Sequence, residues 1–332
     1  MKHRNGPMQR GAALLSAMVT VALVASLASA ALWTQWRQVE VETAERTRAQ
    51  NLWLMAGALD WTRLILAEDA RSAQSADHLG EPWALPVQES KLSTFLSQDQ
   101  AWREGDPEVY LSGQITDAQS RLNLASMVQD GRPTPEALAA WTRLFERLDL
   151  PMAELQALVQ LWPQALAAAQ AVAPPGKPPA NNALNQAPLL PQRLEQLAWV
   201  GLSANTLARL RPYATVLPFA TPVNLNTAPA LVLEAVIPGL DATSARQLVA
   251  RRNQKPWTSL QAAAEAMGTA GRLLDERQHA VRSRFFEIHG RLRMDRLVQD
   301  ELALVEREGP QVRMLWRVRA PQQTLATASL QS

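Results

Sequence analysis

An uncharged run near the N-terminus constrains this chain more than any other feature. From Gly11 to Trp36 there are 26 positions without a charge. Residues 12–33 alone, at about 1.5 Å of rise per helical residue, span roughly 33 Å, enough to cross a bilayer core of about 30 Å. Before the run come three basic residues and no acid, which predicts a cytoplasmic head. The sequence therefore predicts one membrane-spanning helix.

The helical pattern continues after the charges return. Residues on one helical face follow at spacings of three and four: Val41, Ala44, Arg48, Leu52, Met55, Leu59, Thr62 and Leu66. The helix-breaking residues come later, and they are Asp77, Gly80, Pro82 and Pro86. We therefore expect one long helix, with residues 12–33 in lipid and an amphipathic continuation over 34–77.

Three interpretations of this helix are open from its residues. It is an uncut signal anchor, or a secretory signal peptide cut after the Ala28-Ser29-Ala30 stretch, or a segment cut before the apolar run, after Gly11. Cutting after Ala30 would leave a secreted protein that starts at Ala31, and an enzyme is one reading of such a product. It would also discard an apolar span whose helical period continues into the remaining chain.

The run Arg10-Gly11-Ala12-Ala13-Leu14-Leu15 resembles the leader site of the type IV pilin superfamily. The resemblance implies a leader over residues 1–11, cleavage after Gly11 by a prepilin peptidase, and N-methylation of Ala12. Most pilins have Glu at the fifth mature position, where this chain has Ser16. A carboxylate in lipid is costly unless paired, and in pilins the resemblance implies pairing with the terminal amine of the subunit ahead. A subunit that lacks Glu there suits the leading tip of a filament, a known feature of the K-type minor pseudopilins of type II secretion systems.

Composition narrows the class of partner. There is no cysteine, so disulfides and thiolate metal sites are excluded. The formal charge of +2 becomes −1 without residues 1–11, because these carry three basic residues and no acid. The mature chain therefore has no overall charge that would attract nucleic acid.

The patterning after the long helix predicts an α+β fold. Residues 108–116 alternate as a strand, as do several stretches within 283–319. A short helix is expected over 88–100, capped near Glu89-Ser90. Helical spacing dominates between the strands, where capping signals at Thr134 and Asp241 predict helices over 135–148 and 242–253, and a Pro/Asn-rich stretch predicts a loop over 173–188. We expect a pilin-like long N-terminal helix packed on an antiparallel sheet, with a large all-helical domain inserted into the sheet. The expected boundaries are 78–120 and 281–320 for the sheet domain, 121–280 for the insertion, and 321–332 for a tail.

Two further stretches resemble the K-type family. They are Asp117-Ala-Gln-Ser-Arg-Leu-Asn-Leu124 and Asn224-Leu-Asn-Thr-Ala-Pro229. For the first, a strand ending in a polar turn is the alternative reading. The resemblance implies a minor pseudopilin at the tip of a periplasmic pseudopilus, which helps to export folded proteins across the outer membrane. It implies a single pass of the inner membrane, a periplasmic body, and as partners the other minor pseudopilins, the major pseudopilin and prepilin peptidase.

Residues 229–253 resemble a helix-hairpin-helix, a motif that grips DNA phosphates with backbone amides. Four basic residues follow its turn, Arg246, Arg251, Arg252 and Lys255. The motif's second glycine is missing, because Asp241 stands there. A packing hairpin is therefore favoured and no nucleic-acid partner is expected, with a membrane-anchored DNA-binding protein as the alternative function.

Catalytic and metal signals are sparse. The four histidines form no close metal pair, and the common hydrolase, zinc-protease and nucleotide-binding motifs are missing, so we expect no enzyme. No cofactor is expected apart from calcium, which the family resemblance implies for some members. The candidate ligands are Asp117, Asp275 and Glu276, near the predicted junctions of sheet and insertion. Helix caps and solvated charges are the alternative roles for these three acids.

Overall fold

The computed structural model of the protein describes most of the 332 residues. The described ranges are 9–72, 76–92, 108–129, 131–170, 188–294 and 297–320. The chain divides between Gly57 and Ala58 into two compact units, an N-terminal unit up to Gly57 and a body from Ala58 onward. Sheet and helical insertion therefore belong to the same unit, the body.

The long helix α1 runs from Gln9 to Arg71. The N-terminal part of α1 is exposed along its whole length and is long and apolar enough to cross a membrane. Among the described residues, α1 is the one helix that meets both conditions. The indoles of Trp33 and Trp36 stack near the end of the apolar run, with ring centroids 5.5 Å apart. Tryptophans are enriched at membrane–water interfaces, so this pair marks where the span ends. The continuation was expected to reach residue 77, but helix geometry stops at Arg71.

The body contains a five-stranded antiparallel sheet in the order β1-β2-β9-β10-β11. The bounds of its strands are β1 Val87–Lys91, β2 Val109–Asp117, β9 Phe285–Met294, β10 Leu297–Glu308 and β11 Gln311–Arg319. Strand β2 pairs with β9 over the full register from Val109↔Met294 to Asp117↔Phe286. Neighbours in the middle of the sheet thus lie about 170 residues apart in sequence, since the helical insertion separates them.

One face of the sheet packs on the C-terminal end of α1. Residues of four strands share this face because side chains alternate along a strand. Leu59 and Leu66 of α1 and the indole of Trp83 complete the cluster, with Trp83 edge-on to Phe286 at 5.1 Å. The buried sheet residues of this cluster are Ile115, Phe286, Ile288, Ala303, Val305 and Val312.

The edge strand β11 is protected against pairing with other chains. The Arg63 guanidinium on α1 donates through Nε and one terminal nitrogen to the Val312 carbonyl, at 3.0 and 2.7 Å. A bulge between Leu304 and Val305 breaks the register opposite β11. Bulges and charged groups at a sheet edge are ordinary devices against edge-to-edge association.

Between β2 and β9 the chain forms helices and short strand pairs. The helices are α2 Pro135–Arg147, α3 Met152–Gln170, α4 Ala204–Leu210, α5 Ala230–Val236, α6 Ala242–Gln254 and α7 Leu260–Met267. Two-residue strands form the pairs β3 (Leu122–Asn123) with β6 (Ala214–Thr215), β4 (Val128–Gln129) with β5 (Arg132–Pro133), and β7 (Val223–Asn224) with β8 (His279–Ala280). Single 3₁₀ turns cover Pro82–Ala84, Ala118–Ser120, Leu124–Met127, Leu194–Val200 and Ala270–Leu273.

The insertion has a hydrophobic core of its own, distinct from the core under the sheet. Trp141, Leu144, Phe145 and Trp162 lie at its centre, each at most 2% exposed. The predicted fold class is confirmed: a long N-terminal helix, an antiparallel sheet and a helical insertion. The short helix expected over 88–100 is wrong at its start, because Val87–Lys91 pairs with β2 as an edge strand. Residues 93–100 lie outside the described residues, as do the predicted loop over 173–188 up to residue 187 and the tail over 321–332.

Candidate functional site: the anchor and the junction behind it

The predicted processing site lies in the first turns of α1. Gly11 and Ala12 are helical and directly precede the apolar run. The Ser16 hydroxyl, at the fifth mature position, donates to the carbonyl of Ala13 at 2.9 Å. Because this hydroxyl is satisfied within its own helix, position 16 requires no partner from another subunit. Cleavage after Gly11 and methylation of Ala12 stay predictions.

The other hydroxyls of the apolar run behave like that of Ser16. Thr20, Ser26 and Ser29 donate to carbonyls four residues earlier, each at 2.8 Å. A hydroxyl that faces lipid without a partner would cost several kcal/mol, on the order of 2–7, and these bonds remove that cost. Within residues 12–33, every side-chain hydroxyl is therefore satisfied inside the helix.

A buried ionic cluster joins the end of α1 to the sheet. Arg307 on β10 donates to Asp69 of α1 at 2.6 Å and forms a second, shorter bond to Asp77, which follows the helix. The guanidinium also donates to the Ser283 carbonyl at 3.0 Å and stacks over the ring of Phe286. A planar guanidinium suits this role because its fixed fork binds two carboxylates at once. Arg307 therefore connects α1, the segment after it and two strands.

Asp77 attaches the same segment to the chain that re-enters the sheet. Its amide donates to the carbonyl of Val281 at 2.9 Å, and its carboxylate accepts from the amide of Ser283 at 2.7 Å. Residues 281–283 lead directly into β9. The return of the insertion into the sheet is thus fixed against the end of α1.

Glu81 lies beside the ionic cluster. One oxygen of its carboxyl group accepts from the indole N–H of Trp83 at 2.7 Å and from the amide of His78 at 2.8 Å. The pKa of Glu81 is raised to about 7, chiefly by burial and to a lesser extent by the neighbouring Asp69 and Asp77 carboxylates, while those two hydrogen bonds act to lower it. Burial likewise raises the pKa of Asp69, although Arg307 opposes the shift.

Asp117 ends β2 and anchors the start of the insertion. Its carboxylate accepts from Ser283 Oγ at 2.6 Å, Thr227 Oγ1 at 2.5 Å and Asn224 Nδ2 at 3.0 Å. It also accepts from the amide of Gln119 at 2.7 Å, which caps the 3₁₀ turn after the strand. Burial raises the pKa of Asp117, while these hydrogen bonds lower it. The bonds join the point where the chain leaves the sheet to the point where it returns.

The Asn-Leu-Asn-Thr-Ala-Pro stretch is the centre of this network. Asn224 reaches Asp117 and Ser283, whereas Asn226 exchanges two hydrogen bonds with the backbone of Trp257, at 2.9 and 3.0 Å. The buried Arg252 of α6 donates to the carbonyl of Leu225, and burial lowers its pKa to about 10. Polar residues here satisfy one another inside the protein, so the stretch has a structural role.

The predicted calcium ligands do not form one site within the described part of the chain. Asp117 is inside the junction network. Asp275 and Glu276 instead border a cleft of about 630 Å³ together with Glu136 at the start of α2. The three described carboxylates that lie within 4.8 Å of one another are those of Asp69, Asp77 and Glu81, where Arg307 already provides a cation. Calcium binding by this chain stays a prediction.

The helical hairpin is built for packing, which disfavours the DNA-binding alternative. The Asp241 carboxylate caps α6 by accepting from the amides of Thr243 and Ser244 at 2.8 and 2.9 Å. These are the amides that a phosphate would need at this helix end. Of the basic residues after the turn, Arg252 is buried and Arg251 holds the carbonyl of Ala266 at 3.0 Å.

The sequence reasoning did not find the ionic cluster. It treated Asp77 only as a helix breaker and gave Glu81 and Arg307 no role. One signal was available in the sequence. Arg307 lies at an even spacing from Ala303 and Val305 on β10, so it shares the face of the strand that those two residues turn to the apolar core. A charged residue at an inward position of an alternating strand indicates a buried partner.

The fold and the junction define a class of protein. An N-terminal helix long enough to span a membrane, whose C-terminal end packs on an antiparallel sheet, is the architecture of a pilin-like subunit with a single membrane anchor. The helical insertion between β2 and β9 distinguishes this chain within that class.

Comparison with known proteins identifies the family. Family models described as "Type II secretion system (T2SS), protein K" match residues 120–219 and 223–282. A type II secretion system protein K of Klebsiella pneumoniae is 30% identical over 283 residues, covering 79% of each chain. Another, of Pseudomonas aeruginosa, is 26% identical over 294 residues, covering 84% of this chain and 83% of that protein.

A solved structure has a similar fold. The GspK-GspI-GspJ complex from the enterotoxigenic Escherichia coli type 2 secretion system contains a chain with a TM-score of 0.59 at 21% identity. The match covers 83% of this chain and 99% of that chain. This chain belongs to the type II secretion system protein K family. Its members are minor pseudopilins, structural parts of the secretion machinery.

Proposed function

We propose that this chain is the tip subunit of the periplasmic pseudopilus of a type II secretion system, where it helps folded proteins cross the outer membrane. The observation that carries the tip position is Ser16, whose hydroxyl is satisfied by Ala13. A fifth-position carboxylate would need the amine of a subunit ahead, whereas this helix needs nothing there.

Processing precedes assembly in this proposal. Prepilin peptidase cuts after Gly11, Ala12 becomes the methylated N-terminus, and residues 12–33 hold the subunit in the inner membrane with the body in the periplasm. The processing step is tested by intact mass and N-terminal sequencing of the membrane-bound protein, made with and without the peptidase. A peptidase-dependent start at Ala12 supports the proposal. A mature protein that starts at Ala31 contradicts the proposal, and so does one that starts at Met1 whether or not the peptidase is present. Gly11→Val is the control that should stay uncut.

The partners in this proposal are the other minor pseudopilins of the same system, which pack against the N-terminal helix, and the major pseudopilin below them. The solved relative lies in a complex with GspI and GspJ, which supports a heteromeric assembly. The body of this chain, residues 58–332, carries a helical insertion in addition to the sheet. That bulk obstructs a further subunit ahead, so the chain ends the filament.

The tip position is testable by cross-linking because the chain has no cysteine. A single Ser16→Cys substitution gives the protein one thiol, at the position in question. In cells that make the whole system, we expect cross-links from this thiol to cysteines placed in the N-terminal helices of the other minor pseudopilins. Cross-links between two copies of this chain would contradict the tip assignment, since they require it to repeat along the filament. Trp53→Cys, also on α1 but far from the leader, is the matched control.

A further inference from the structure

The ionic cluster at the end of α1 contains more negative than positive charge. Asp69, Asp77 and Glu81 have carboxyl oxygens within 4.8 Å of one another, and the guanidinium of Arg307 bonds to the first two. Glu81 is 2% exposed and Asp77 3%. Three carboxylates against one cation leave an excess of two negative charges in a buried space, which is costly unless one carboxyl group is protonated.

His78, on the same segment, partly opposes the excess of negative charge, because it acts to lower the pKa of Asp69 against the effect of burial. Its ring nitrogen Nδ1 accepts from the amide of Gly80 at 3.1 Å. From the end of β2, Asp117 brings another carboxylate, which interacts repulsively with Asp77. From β9 and the residues that lead into it, the uncharged Ser283 backbone and the ring of Phe286 face the cluster.

Glu81 is the carboxyl group suited to carry a proton. Arg307 bonds to the two aspartates, whereas the hydrogen bonds of Glu81 come from uncharged donors. Both of those donors reach the same oxygen, so the other oxygen is available for a proton. Protonated Glu81 keeps both bonds and relieves the repulsion from Asp69 and Asp77.

We propose that the cluster of Asp69, Asp77 and Glu81 holds one proton, on Glu81, in the folded protein, and that losing this proton loosens the attachment of the segment after α1 to the sheet. The cluster is then a proton-sensitive connection within the body, between the end of α1 and the sheet. The proposal rests on the geometry of the body and stands whether or not the chain occupies the filament tip.

The direction of the pH dependence follows from linkage. The pKa of Glu81 is raised from its ordinary value of 4.5 to about 7. In the window between these values the folded protein keeps a proton that the unfolded chain has released, so stability falls as pH rises through the window and is level above it. Burial lowers the pKa values of His279 and His289, which has the opposite effect on stability below 6.5. The contribution of Glu81 must therefore be isolated as a difference between variants.

The test uses Glu81→Gln in the full-length protein held in detergent micelles. A Gln side chain has the shape of protonated Glu, and its carbonyl oxygen can accept both existing hydrogen bonds. Thermal unfolding is followed by tryptophan fluorescence across the window from 4.5 to about 7 and above it. Hydrogen exchange of residues 76–84 is measured in the same buffers. Glu265→Gln is the matched control, because Glu265 is exposed on α7.

We expect the wild type and Glu265→Gln to lose several degrees of Tm, relative to Glu81→Gln, as pH rises through the window. The protection factors of residues 76–84, which correct for the base-catalysed rise of intrinsic exchange with pH, should fall above neutral pH in the wild type and stay constant in Glu81→Gln. Equal pH dependence of wild type and Glu81→Gln would overturn the proposal.

A second variant keeps the test decisive if Glu81→Gln does not fold. Asp69→Asn removes one of the carboxylates that raise the pKa of Glu81. The fall in Tm should then shift to lower pH. A pH profile identical to that of the wild type would show that Asp69 does not help to hold a proton on Glu81, which contradicts the proposal.

Discussion

Replacing Arg307 by Met removes the one cation of the cluster while keeping a long side chain against Phe286. Asp69 and Asp77 both lose their counter-charge, and the side chains of all three residues are at most 9% exposed. The carboxylates cannot turn to water without opening the end of α1, so the variant measures the penalty of burying them unpaired.

The size of the effect follows from burial. Removing one partner of a buried pair typically costs about 3–5 kcal/mol, whereas an exposed pair contributes about 0–1 kcal/mol. The matched control is Arg71→Met, since the Arg71–Glu68 pair near the end of the same helix is 59% and 77% exposed. At about 2 °C per kcal/mol for a body of this size, Arg307→Met should lower Tm by roughly 6–10 °C and Arg71→Met by no more than about 2 °C.

The assay is thermal unfolding of the full-length protein in detergent micelles, at neutral pH and again at acid pH. In Arg307→Met the unpaired carboxyl groups can take up protons, so the loss of Tm should be smaller at acid pH. A change no larger than that of Arg71→Met, or a loss independent of pH, would refute the reasoning that the cluster is buried and that Arg307 holds it together.

Three further substitutions test other parts of the body by the same thermal assay. Asp117→Asn places an amide N–H against donors that need an acceptor and should cost about 2–4 kcal/mol; wild-type stability would show that the junction network contributes nothing. Leu144→Ala leaves a cavity in the core of the insertion and should cost about 2–5 kcal/mol, whereas Leu273→Ala, 53% exposed, should change little; equal effects would contradict the assigned core. Burial lowers the pKa of His279, so the contribution of this residue to stability is lost as pH falls below 6.5. His279→Asn, whose side chain can still accept from the Asp275 amide, should reduce the loss of Tm at acid pH. An unchanged loss would exclude His279 as its source.

Local patterns predicted most of the secondary structure correctly. The alternation in 283–319 predicted strands there, and capping signals predicted α2 and α6 to within a residue or two. Periodicity failed at Val87–Lys91, where pairing with β2 decides the conformation of a polar pentapeptide. The sequence also grouped Asp275 and Glu276 with Asp117 as candidate calcium ligands. That grouping failed because nearness to a junction in sequence does not determine which acids meet in space.

The sequence by itself determined the membrane anchor, the α+β class and the family, since these depend on the hydrophobicity and spacing of residues close together in the chain. It also indicated that the Asn-Leu-Asn-Thr-Ala-Pro stretch is characteristic of the family, without showing which contacts the stretch makes. The tertiary structure decided which polar groups became partners. Asp77 and Arg307 are 230 residues apart, and Asp117 and Ser283 are 166 apart. Contacts at such separations form only when the strands before and after the insertion pair in one sheet, because no local preference brings those groups together.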